Sequence, residues 1–348
     1  MRRPLTPAPI LSLSTLVACV LASSGAWAAQ GLQVELAAPA QVMQGDGEVA
    51  VEVVVRNTSA RPHKLLRWQL PEGTLHGPLF RVIGADGTEA AYLGPLVKRA
   101  APRAEDLVVL APGQQLSYRV DLSRQYALPD GRYTVAYLGR ARVAGRADLA
   151  SSAALSLWLS GRSAAAQSVA PEAATSGPIT FTGACTAGEQ TDLITAVDKA
   201  TGYASGSKKY LKVMTTPTTR YTTWFGAYTS ARHDTVRTHF NKITQAFKKK
   251  PLTLDCSCSD PGVYAYVYPN DPYKIYLCGA FWSAPMTGTD SKAGTLIHEM
   301  SHFTVVAGTN DWAYGQTAAK ALAINNPDRA VDNADSHEYF AENTPAQP

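Results

Sequence analysis

Residues 295–302 contain the spacing His-Glu-x-x-His, formed by His298, Glu299 and His302. Residues four apart lie one turn apart on the same face of an α-helix, so a helix brings the two imidazoles together. Paired in this way, they can bind one metal ion, and the intervening glutamate can reach a water molecule on that ion. The alternative is an amphipathic helix with a buried, hydrogen-bonded histidine pair. The downstream residues described below favour the metal site.

The length and charge of the chain exclude several classes of protein. Its 348 residues are enough for two domains, each with its own hydrophobic core. Ordinary apolar content and a charged fraction of 17% indicate a globular protein and not a disordered one. The net charge of +4 is weak, and the only basic run is at residues 248–250. Such a short run is typical of a solvated helix end, so we expect no nucleic-acid partner.

Residues 1–28 have the composition of a secretory signal peptide. Two arginines precede a short apolar stretch at residues 10–21, and Ala26 and Ala28 form an A-x-A cleavage site. The apolar stretch is too short to span a membrane, and no later segment reaches the needed length. We therefore expect a secreted, extracellular protein without stable membrane insertion. The residues before Cys19 also resemble a lipoprotein box, which leaves lipidation as an alternative.

Residues 29–160 have the pattern of an all-β, sandwich-like domain. β-Branched residues at 48–56 and alternating residues at 115–121 and 132–138 predict strands, with turn-forming residues between them. No catalytic grouping stands out in this region of the sequence. Residues 161–178 are rich in Ala, Ser, Pro and Gly without hydrophobic periodicity, which is typical of a linker. Proteases cut exposed linkers readily, so a processing site is expected nearby.

Residues 179–348 mix helical and strand patterns and predict an α+β domain. Helices are predicted at residues 189–214 and 227–249, and a hairpin of strands at residues 262–269 and 274–279. The His-Glu-x-x-His helix is predicted at residues 291–307, beneath this small sheet. Asp290 or Ser291 is its expected N-cap, and Gly308 is its expected C-terminal stop. Further helical sequence follows after residue 315 and near residue 336.

The C-terminal half also holds four cysteines, which an exported chain is expected to pair as two disulfides. Cys256 and Cys258 are too close to pair with each other, which leaves two possible arrangements with Cys185 and Cys278. A zinc ribbon is excluded, because a C-x-C pair with two distant single cysteines lacks the paired C-x-x-C spacing.

A catalytic zinc site needs three protein ligands and one open position, so two histidines are not enough. The metzincin pattern would need Gly at position 305 and His at position 308, where Val305 and Gly308 stand. A gluzincin would take a glutamate from a later helix, and Glu338 or Glu342 could serve. The nearest candidate in sequence is Asp311, just past the glycine that ends the motif helix, where the chain can turn back toward the metal.

Residues 308–315 read Gly-Thr-Asn-Asp-Trp-Ala-Tyr-Gly. Following His-Glu-x-x-His, this segment resembles the signature of the aspzincins, the deuterolysin family of zinc endopeptidases. The resemblance is closer to the peptidyl-Lys metalloendopeptidase branch. The segments that look like that branch are residues 220–226, 281–282, 287–290 and 333–340. The resemblance extends over about residues 183–348 and does not include the N-terminal half.

The resemblance implies a role for each residue of the motif. His298, His302 and Asp311 would be the ligands of one Zn²⁺ per chain. Glu299 would be the general base that takes a proton from the attacking water. Tyr314 would donate a hydrogen bond to the oxyanion that develops on the substrate. The fold implied is a zincin-like α+β catalytic domain built on the motif helix.

The resemblance also implies how the cysteines pair and how substrates are selected. The implied disulfides are Cys185–Cys256 and Cys258–Cys278, each contributing about 2–4 kcal/mol of stability. An acidic pocket for the lysine that follows the scissile bond would be formed by two residues near the C-terminus, Asp335 and Glu338.

Two carboxylates on one short element suit a lysine pocket, because a buried ammonium needs counter-charges. From spacing alone, Asp335 could instead cap the last helix, and Glu338 could be solvated or form a structural ion pair. His337 is expected to lie on a helix face and not to bind metal.

Together the sequence patterns and the resemblance predict a secreted zinc endopeptidase made as a preproprotein, and the resemblance implies that it cleaves protein or peptide substrates on the amino side of lysine. Residues 29–160 would be a propeptide that inhibits the enzyme or assists its folding, and the mature enzyme would be a monomer. In one alternative, this half is a retained binding module beside a peptidase of broad or weak activity. In another, the zinc is structural in an adhesin or toxin. No lysine lies between Lys98 and Lys199, so an enzyme of this specificity cannot readily cut its own linker.

Overall fold

The computed structural model describes residues 31–138, 152–162 and 179–348. The predicted signal peptide, the lipoprotein-like sequence at Cys19 and most of the predicted linker lie outside these residues. No helix in the part of the chain described here is long and apolar enough to cross a membrane.

The N-terminal region is rich in β-strands, and the C-terminal region holds the α-helices, as predicted. The strands are β1 (Leu32–Ala37), β2 (Val42–Gln44), β3 (Ala50–Asn57), β4 (His63–Leu66), β5 (Phe80–Gly84), β6 (Leu96–Arg99), β7 (Leu107–Leu110), β8 (Gln115–Asp121), β9 (Gly131–Tyr137), β10 (Leu155–Ser160), β11 (Ile179–Thr182), β12 (Leu252–Asp255), β13 (Val263–Val267) and β14 (Lys274–Leu277). The helices are α1 (Ala187–Val213), α2 (Thr219–Phe225), α3 (Ser230–Lys249), α4 (Gly279–Ser283), α5 (Lys292–His302), α6 (Gly315–Asn325), α7 (Pro327–Ala330) and α8 (Ala334–Glu342).

Seven of the N-terminal strands form two sheets that share one hydrophobic core, and β4 and β7 pair as a third, two-stranded sheet. β1, β3 and β8 make an antiparallel sheet, and β2, β10, β9 and β5 make a second sheet in that order. Val53 on β3 and Val135 on β9 are both fully buried in the same cluster of apolar side chains. Alternate residues of each strand face this core, which gives the sandwich-like arrangement expected from the strand patterns.

The C-terminal region packs its helices against a mixed sheet. β11, β12 and β14 run parallel, and β13 pairs with β14 in the antiparallel sense. Every residue of α5 is buried, because this helix lies among α1, α3, α8 and the sheet. Leu296, Ile297 and Met300 fill the apolar core from α5. The polar side chains of the motif are thereby held away from bulk solvent.

The motif helix begins where the sequence predicts but ends earlier. The Ser291 hydroxyl accepts a hydrogen bond from the N–H of Gly294 at 2.9 Å, so Ser291 is the N-cap. The helix stops at His302, and the prediction that it continues to residue 307 is wrong. The backbone carbonyl of Phe303 accepts the N–H groups of residues 306, 307 and 308, which forms a tight turn in place of the last helical turns. Gly308 has φ +63°, a conformation that glycine adopts without strain.

Both disulfides implied by the resemblance are present. Cys185–Cys256 joins the start of α1 to the end of β12, and Cys258–Cys278 joins the following segment to the start of α4. The first bridge fastens β12 to α1, and the second fastens the segment after β12 to the junction of β14 and α4.

β6 differs from the other N-terminal strands, because it joins the C-terminal sheet. It pairs with β13 in the antiparallel sense, with Leu96 opposite Val267 and Lys98 opposite Ala265. The five-stranded sheet therefore has the order β11-β12-β14-β13-β6, with β6 at its edge. β6 also contacts α5, the helix that carries His-Glu-x-x-His. No pattern in the sequence predicted this contact between the two halves.

Candidate active site

The structure brings together the three side chains proposed as metal ligands. Nε2 of His298 lies 3.2 Å and Nε2 of His302 lies 3.4 Å from the same oxygen of Asp311. All three side chains are buried, and these nitrogen and oxygen atoms have no hydrogen-bond partner among the described residues. Buried polar atoms are costly without partners, and a cation between them would satisfy all three. The residues present therefore fit a zinc ion.

The opposite side of each imidazole has a partner that orients it. Nδ1 of His302 lies 2.8 Å from the backbone carbonyl oxygen of Thr309. Nδ1 of His298 lies 2.8 Å from a carboxylate oxygen of Asp335. The carbonyl oxygen favours a proton on Nδ1 of His302, and the nearby negative charge of Asp335 favours one on Nδ1 of His298, so both Nε2 atoms can face Asp311 as ligands.

Asp311 reaches the histidines because its loop is fastened on both sides. The N–H of Thr309 donates to the carbonyl of Ser301 at 3.1 Å, which returns the chain toward the end of α5. The side-chain oxygen of Asn333 accepts the two backbone N–H groups that follow Asp311, at 2.9 and 3.0 Å. Burial acts to raise the pKa of Asp311, but positive charge at His302 and His298 outweighs this effect and holds the pKa far below its ordinary value. The carboxylate is therefore ionised.

Glu299 lies beside this centre and is fully buried. Both of its carboxylate oxygens lack a hydrogen-bond partner within the described part of the chain. Burial raises its pKa to about 7, against the lowering effect of the two neighbouring imidazoles. A carboxylate with a pKa near neutrality can both accept and return a proton.

The other residues considered as third ligands point elsewhere. Glu338 lies on the Nδ1 side of His298, at 3.4 Å, and not on the Nε2 side. Glu342 accepts a hydrogen bond from the Ser291 hydroxyl at 2.7 Å. His337 is buried with Nδ1 2.9 Å from a backbone carbonyl of its own helix region, and burial lowers its pKa to about 3. His337 is thus a packed residue of α8, as expected.

Asp335 and Glu338 hold a lysine, and this lysine comes from the N-terminal half. Nζ of Lys98 lies 2.6 Å from Glu338 and 3.6 Å from Asp335, and its side chain is only 2% exposed. Burial acts to lower the pKa of Lys98, but the charges of Asp335, Glu338 and Asp290 raise it well above its ordinary value. Asp335 and Glu338 could also join His298 in a second cation site, but the Lys98 ammonium lies there.

Three further side chains lie at the ammonium, those of Asp290, Tyr264 and Tyr339, and sequence reasoning missed this role for each of them. Asp290 lies 3.7 Å from Nζ of Lys98, and the Tyr264 ring centre lies 5.2 Å from it. The Tyr339 hydroxyl donates a 2.6 Å hydrogen bond to Asp290 and fixes its carboxylate. Asp290 has φ +51°, an uncommon backbone conformation for a residue with a side chain. The sequence suggested Asp290 only as an alternative N-cap to Ser291.

Tyr314 contacts the residue that precedes Lys98. Its hydroxyl donates a hydrogen bond to the backbone carbonyl of Val97 at 2.9 Å. Burial raises the pKa of Tyr314 well above its ordinary value, so the hydroxyl keeps its proton and remains a donor. The carbonyl of Val97 therefore contacts a hydrogen-bond donor, and the side chain of the next residue, Lys98, lies in the acidic pocket.

Comparison with known proteins agrees with this geometry. Residues 210–342 match the aspzincin family, described as lysine-specific metallo-endopeptidases. The chain is 45% identical to an extracellular protease of Aeromonas hydrophila over 312 residues, which cover 86% of this chain and 89% of the relative. It is 38% identical to the peptidyl-Lys metalloendopeptidase of Grifola frondosa over 349 residues, covering 96% of this chain and 99% of the relative. Among solved structures, a zinc peptidase from Grifola frondosa is 54% identical and covers 47% of this chain and 100% of its own, with a TM-score of 0.46. The chain therefore belongs to the aspzincin family of zinc metallopeptidases and is a metalloendopeptidase that acts on proteins or peptides.

Proposed function

We propose that this enzyme cleaves peptide bonds on the amino side of lysine, uses one zinc ion, and is exported in a form that its own N-terminal half keeps inactive. The observation that carries the proposal is the position of Val97 and Lys98. The Lys98 ammonium lies in the pocket of Asp335 and Glu338, while the carbonyl of the preceding residue accepts a hydrogen bond from Tyr314. A lysine on the carboxyl side of a scissile bond would occupy the same two positions.

His298, His302 and Asp311 are assigned as the zinc ligands. Their orphaned, buried atoms and the aspartate between two imidazoles match the donors that zinc prefers. Three protein ligands are typical of a catalytic site, because they leave a position for the reaction. When bound, zinc supplies a Lewis acid that polarises a carbonyl and lowers the pKa of water to about 7.

The protein's own residues supply the proton transfers and hold the substrate carbonyl. Glu299 accepts a proton from the attacking water and returns it to the leaving nitrogen, a role supported by its burial and its pKa of about 7. Tyr314 donates to the carbonyl oxygen, on which negative charge develops as water attacks. Asp335 orients His298 as well as the substrate lysine, since its carboxylate faces both.

The pocket suits lysine better than arginine. Its carboxylates meet a compact ammonium, whose three donors can be shared among Glu338, Asp335 and Asp290. The Lys98 side chain is almost fully buried there, so a neutral residue in its place would leave the carboxylates buried without a cation. We assign Asp290 as the third acid of this pocket, on the side that is open to solvent.

Replacing Asp290 by asparagine is expected to reduce kcat/KM for lysine-containing peptides about two- to fivefold. The pair is partly exposed, so its loss costs about 0.5–1 kcal/mol. Asparagine can still accept the Tyr339 hydrogen bond and tolerates positive φ, so the backbone is preserved. The measurement is steady-state kinetics on a lysine peptide, with the exposed Asp271→Asn variant as control. An unchanged kcat/KM for Asp290→Asn would remove this residue from the pocket.

The position of β6 supports the interpretation of the N-terminal half as an inhibitory propeptide. Its edge strand fills the pocket and lies over α5, so an external substrate cannot use the same sites. We propose residues 1–28 as a signal peptide, 29–160 as the propeptide, 161–178 as the linker near the processing site, and 179–348 as the catalytic domain. The N-terminal residue of the secreted enzyme tests this: a start near residue 180 supports a propeptide, and a start near residue 29 supports a retained module.

Lysine specificity is tested by digesting a denatured protein and sequencing the peptides by mass spectrometry. New N-termini are expected to be lysine in nearly every case, and a zinc chelator is expected to abolish cleavage. Added zinc should restore it. Cleavage before many residue types would contradict the proposed specificity, and activity that survives chelation would contradict the proposed metal.

A further inference from the structure

β6 binds the catalytic half in the way that an extended substrate would. It adds as an antiparallel strand to the edge of β13 that β14 does not occupy, a common mode of peptide recognition in which backbone hydrogen bonds hold the chain and pockets bind alternate side chains. The N–H of Ala100 extends this pairing by donating to the carbonyl of Gly262 at 3.0 Å. Leu96 and Val97 are also buried, so the strand is held on both sides of Lys98.

We infer that the Val97–Lys98 peptide bond is a cleavage site of the chain's own active site. The inference rests on the proposed function and goes beyond inhibition, because it makes the inhibitory strand a substrate. The carbonyl that must be attacked belongs to Val97, and Tyr314 donates to that oxygen. The side chain that must follow the scissile bond is lysine, and Lys98 fills the acidic pocket. The carbonyl bound by Tyr314 precedes the lysine bound by the acidic pocket, which is the order along the chain that cleavage before lysine requires.

The reaction is an ordinary hydrolysis that needs only solvent water as co-reactant. The water oxygen bonds to the carbonyl carbon of Val97, and the C–N bond to Lys98 breaks. Glu299 takes a proton from the water and passes it to the departing nitrogen. The second proton of the water also passes to that nitrogen, so the products are a carboxylate on Val97 and an ammonium group on Lys98, and atoms and charges balance.

The distribution of lysine restricts where the enzyme can cut its own N-terminal half. Residues 1–198 contain only two lysines, Lys64 and Lys98. Lys64 lies in β4, paired with β7 opposite Val109, and is exposed away from the pocket. Lys98 is thus the only one of the two that the fold presents to Asp335 and Glu338. The lysine-free linker must be cut by other means.

A cut at this bond would leave the two pieces associated. β1, β3 and β5 precede the bond, while β8, β9 and β10 follow it, and all six strands contribute to one sandwich core. The pairing of β3 with β8 and of β5 with β9 crosses the cut. The nicked protein is therefore expected to remain one particle in native buffer and to separate into fragments only when denatured.

The test uses the full-length chain, purified with a chelator and then supplied with zinc. Mass spectrometry under denaturing conditions is expected to show a fragment that begins at Lys98, formed at a rate independent of protein concentration. Lys98→Arg keeps a cation in the pocket but is expected to slow this cut at least tenfold. Lys64→Arg is the matched control, and it should be cut between Val97 and Lys98 as fast as the wild type.

A second readout does not depend on activity. In the Glu299→Gln chain, which is expected to stay intact, Lys98 should react with an amine-modifying reagent at least tenfold more slowly than Lys64. Equal labelling of the two lysines would contradict the position of Lys98 in the pocket of Asp335 and Glu338. Self-cleavage would be overturned if the Lys98→Met chain cleaves external lysine peptides while the wild-type chain is never cut between Val97 and Lys98. That outcome would leave the proposed function standing. If neither chain cleaves any lysine peptide, the proposed function fails, and this inference fails with it.

Discussion

Glu299→Gln is expected to lower peptidase activity by about 100- to 10,000-fold, the usual contribution of a general acid–base residue. Glutamine has the same shape as glutamate, but its amide cannot accept the proton of the attacking water. The Glu299 side chain is fully buried, and its carboxylate oxygens make no hydrogen bond within the described residues, so its replacement breaks no hydrogen bond there. The zinc ligands are unchanged, and zinc content should equal that of the wild type.

Two measurements on the same preparation check this prediction: the rate of cleavage of a lysine peptide, and zinc per chain by elemental analysis. Glu299→Asp serves as a control, since it keeps a carboxylate but withdraws it by one methylene, and an intermediate rate is expected. A Glu299→Gln variant that cleaves at the wild-type rate would show that another group is the base. Loss of zinc together with activity would show that Glu299 acts on the metal site and not on the proton transfer.

The parts of the site that could be predicted from sequence are those fixed by local geometry. His298 and His302 are one helical turn apart, and any helix through them brings their imidazoles together. Asp311 follows after a glycine-containing turn, so its return to the histidines is also a short-range event. The predicted end of the motif helix was wrong. The helical pattern of the sequence continues past His302, whereas the backbone closes a tight turn at Phe303.

The parts that could not be predicted depend on contacts between distant residues. Lys98 and Glu338 are 240 positions apart, and nothing in the short strand β6 marks its lysine as different from any surface lysine. Asp290 is a similar case, since its role appears only when Tyr339 and the ammonium are placed beside it. A shortage of lysine in the N-terminal half was visible in the sequence, but it became informative only once the pocket was known to hold one of the two.

Lys98→Met is expected to make the full-length chain active on external lysine peptides from the first moment of the assay. Methionine has a similar length but no charge, so docking of β6 would leave Asp335 and Glu338 buried without their cation. Removing one partner of a buried ion pair costs about 3–5 kcal/mol. That energy corresponds to a docked state of the strand weaker by about 100-fold or more. The wild-type chain, by contrast, should show a lag while its own strand occupies the cleft.

The comparison that separates this effect from general instability is Lys64→Met, which removes the other lysine of the N-terminal half from an exposed position on β4. This control should retain the lag of the wild type. Thermal unfolding of both variants checks that the sandwich remains folded. If the Lys98→Met chain is folded and still inactive, the lysine does not hold the strand in place, and inhibition must come from the remaining contacts of β6 with β13. If it is active without a lag, the cation of Lys98 is what keeps the cleft closed, because the strand, its pairing partner and the catalytic residues are otherwise unchanged.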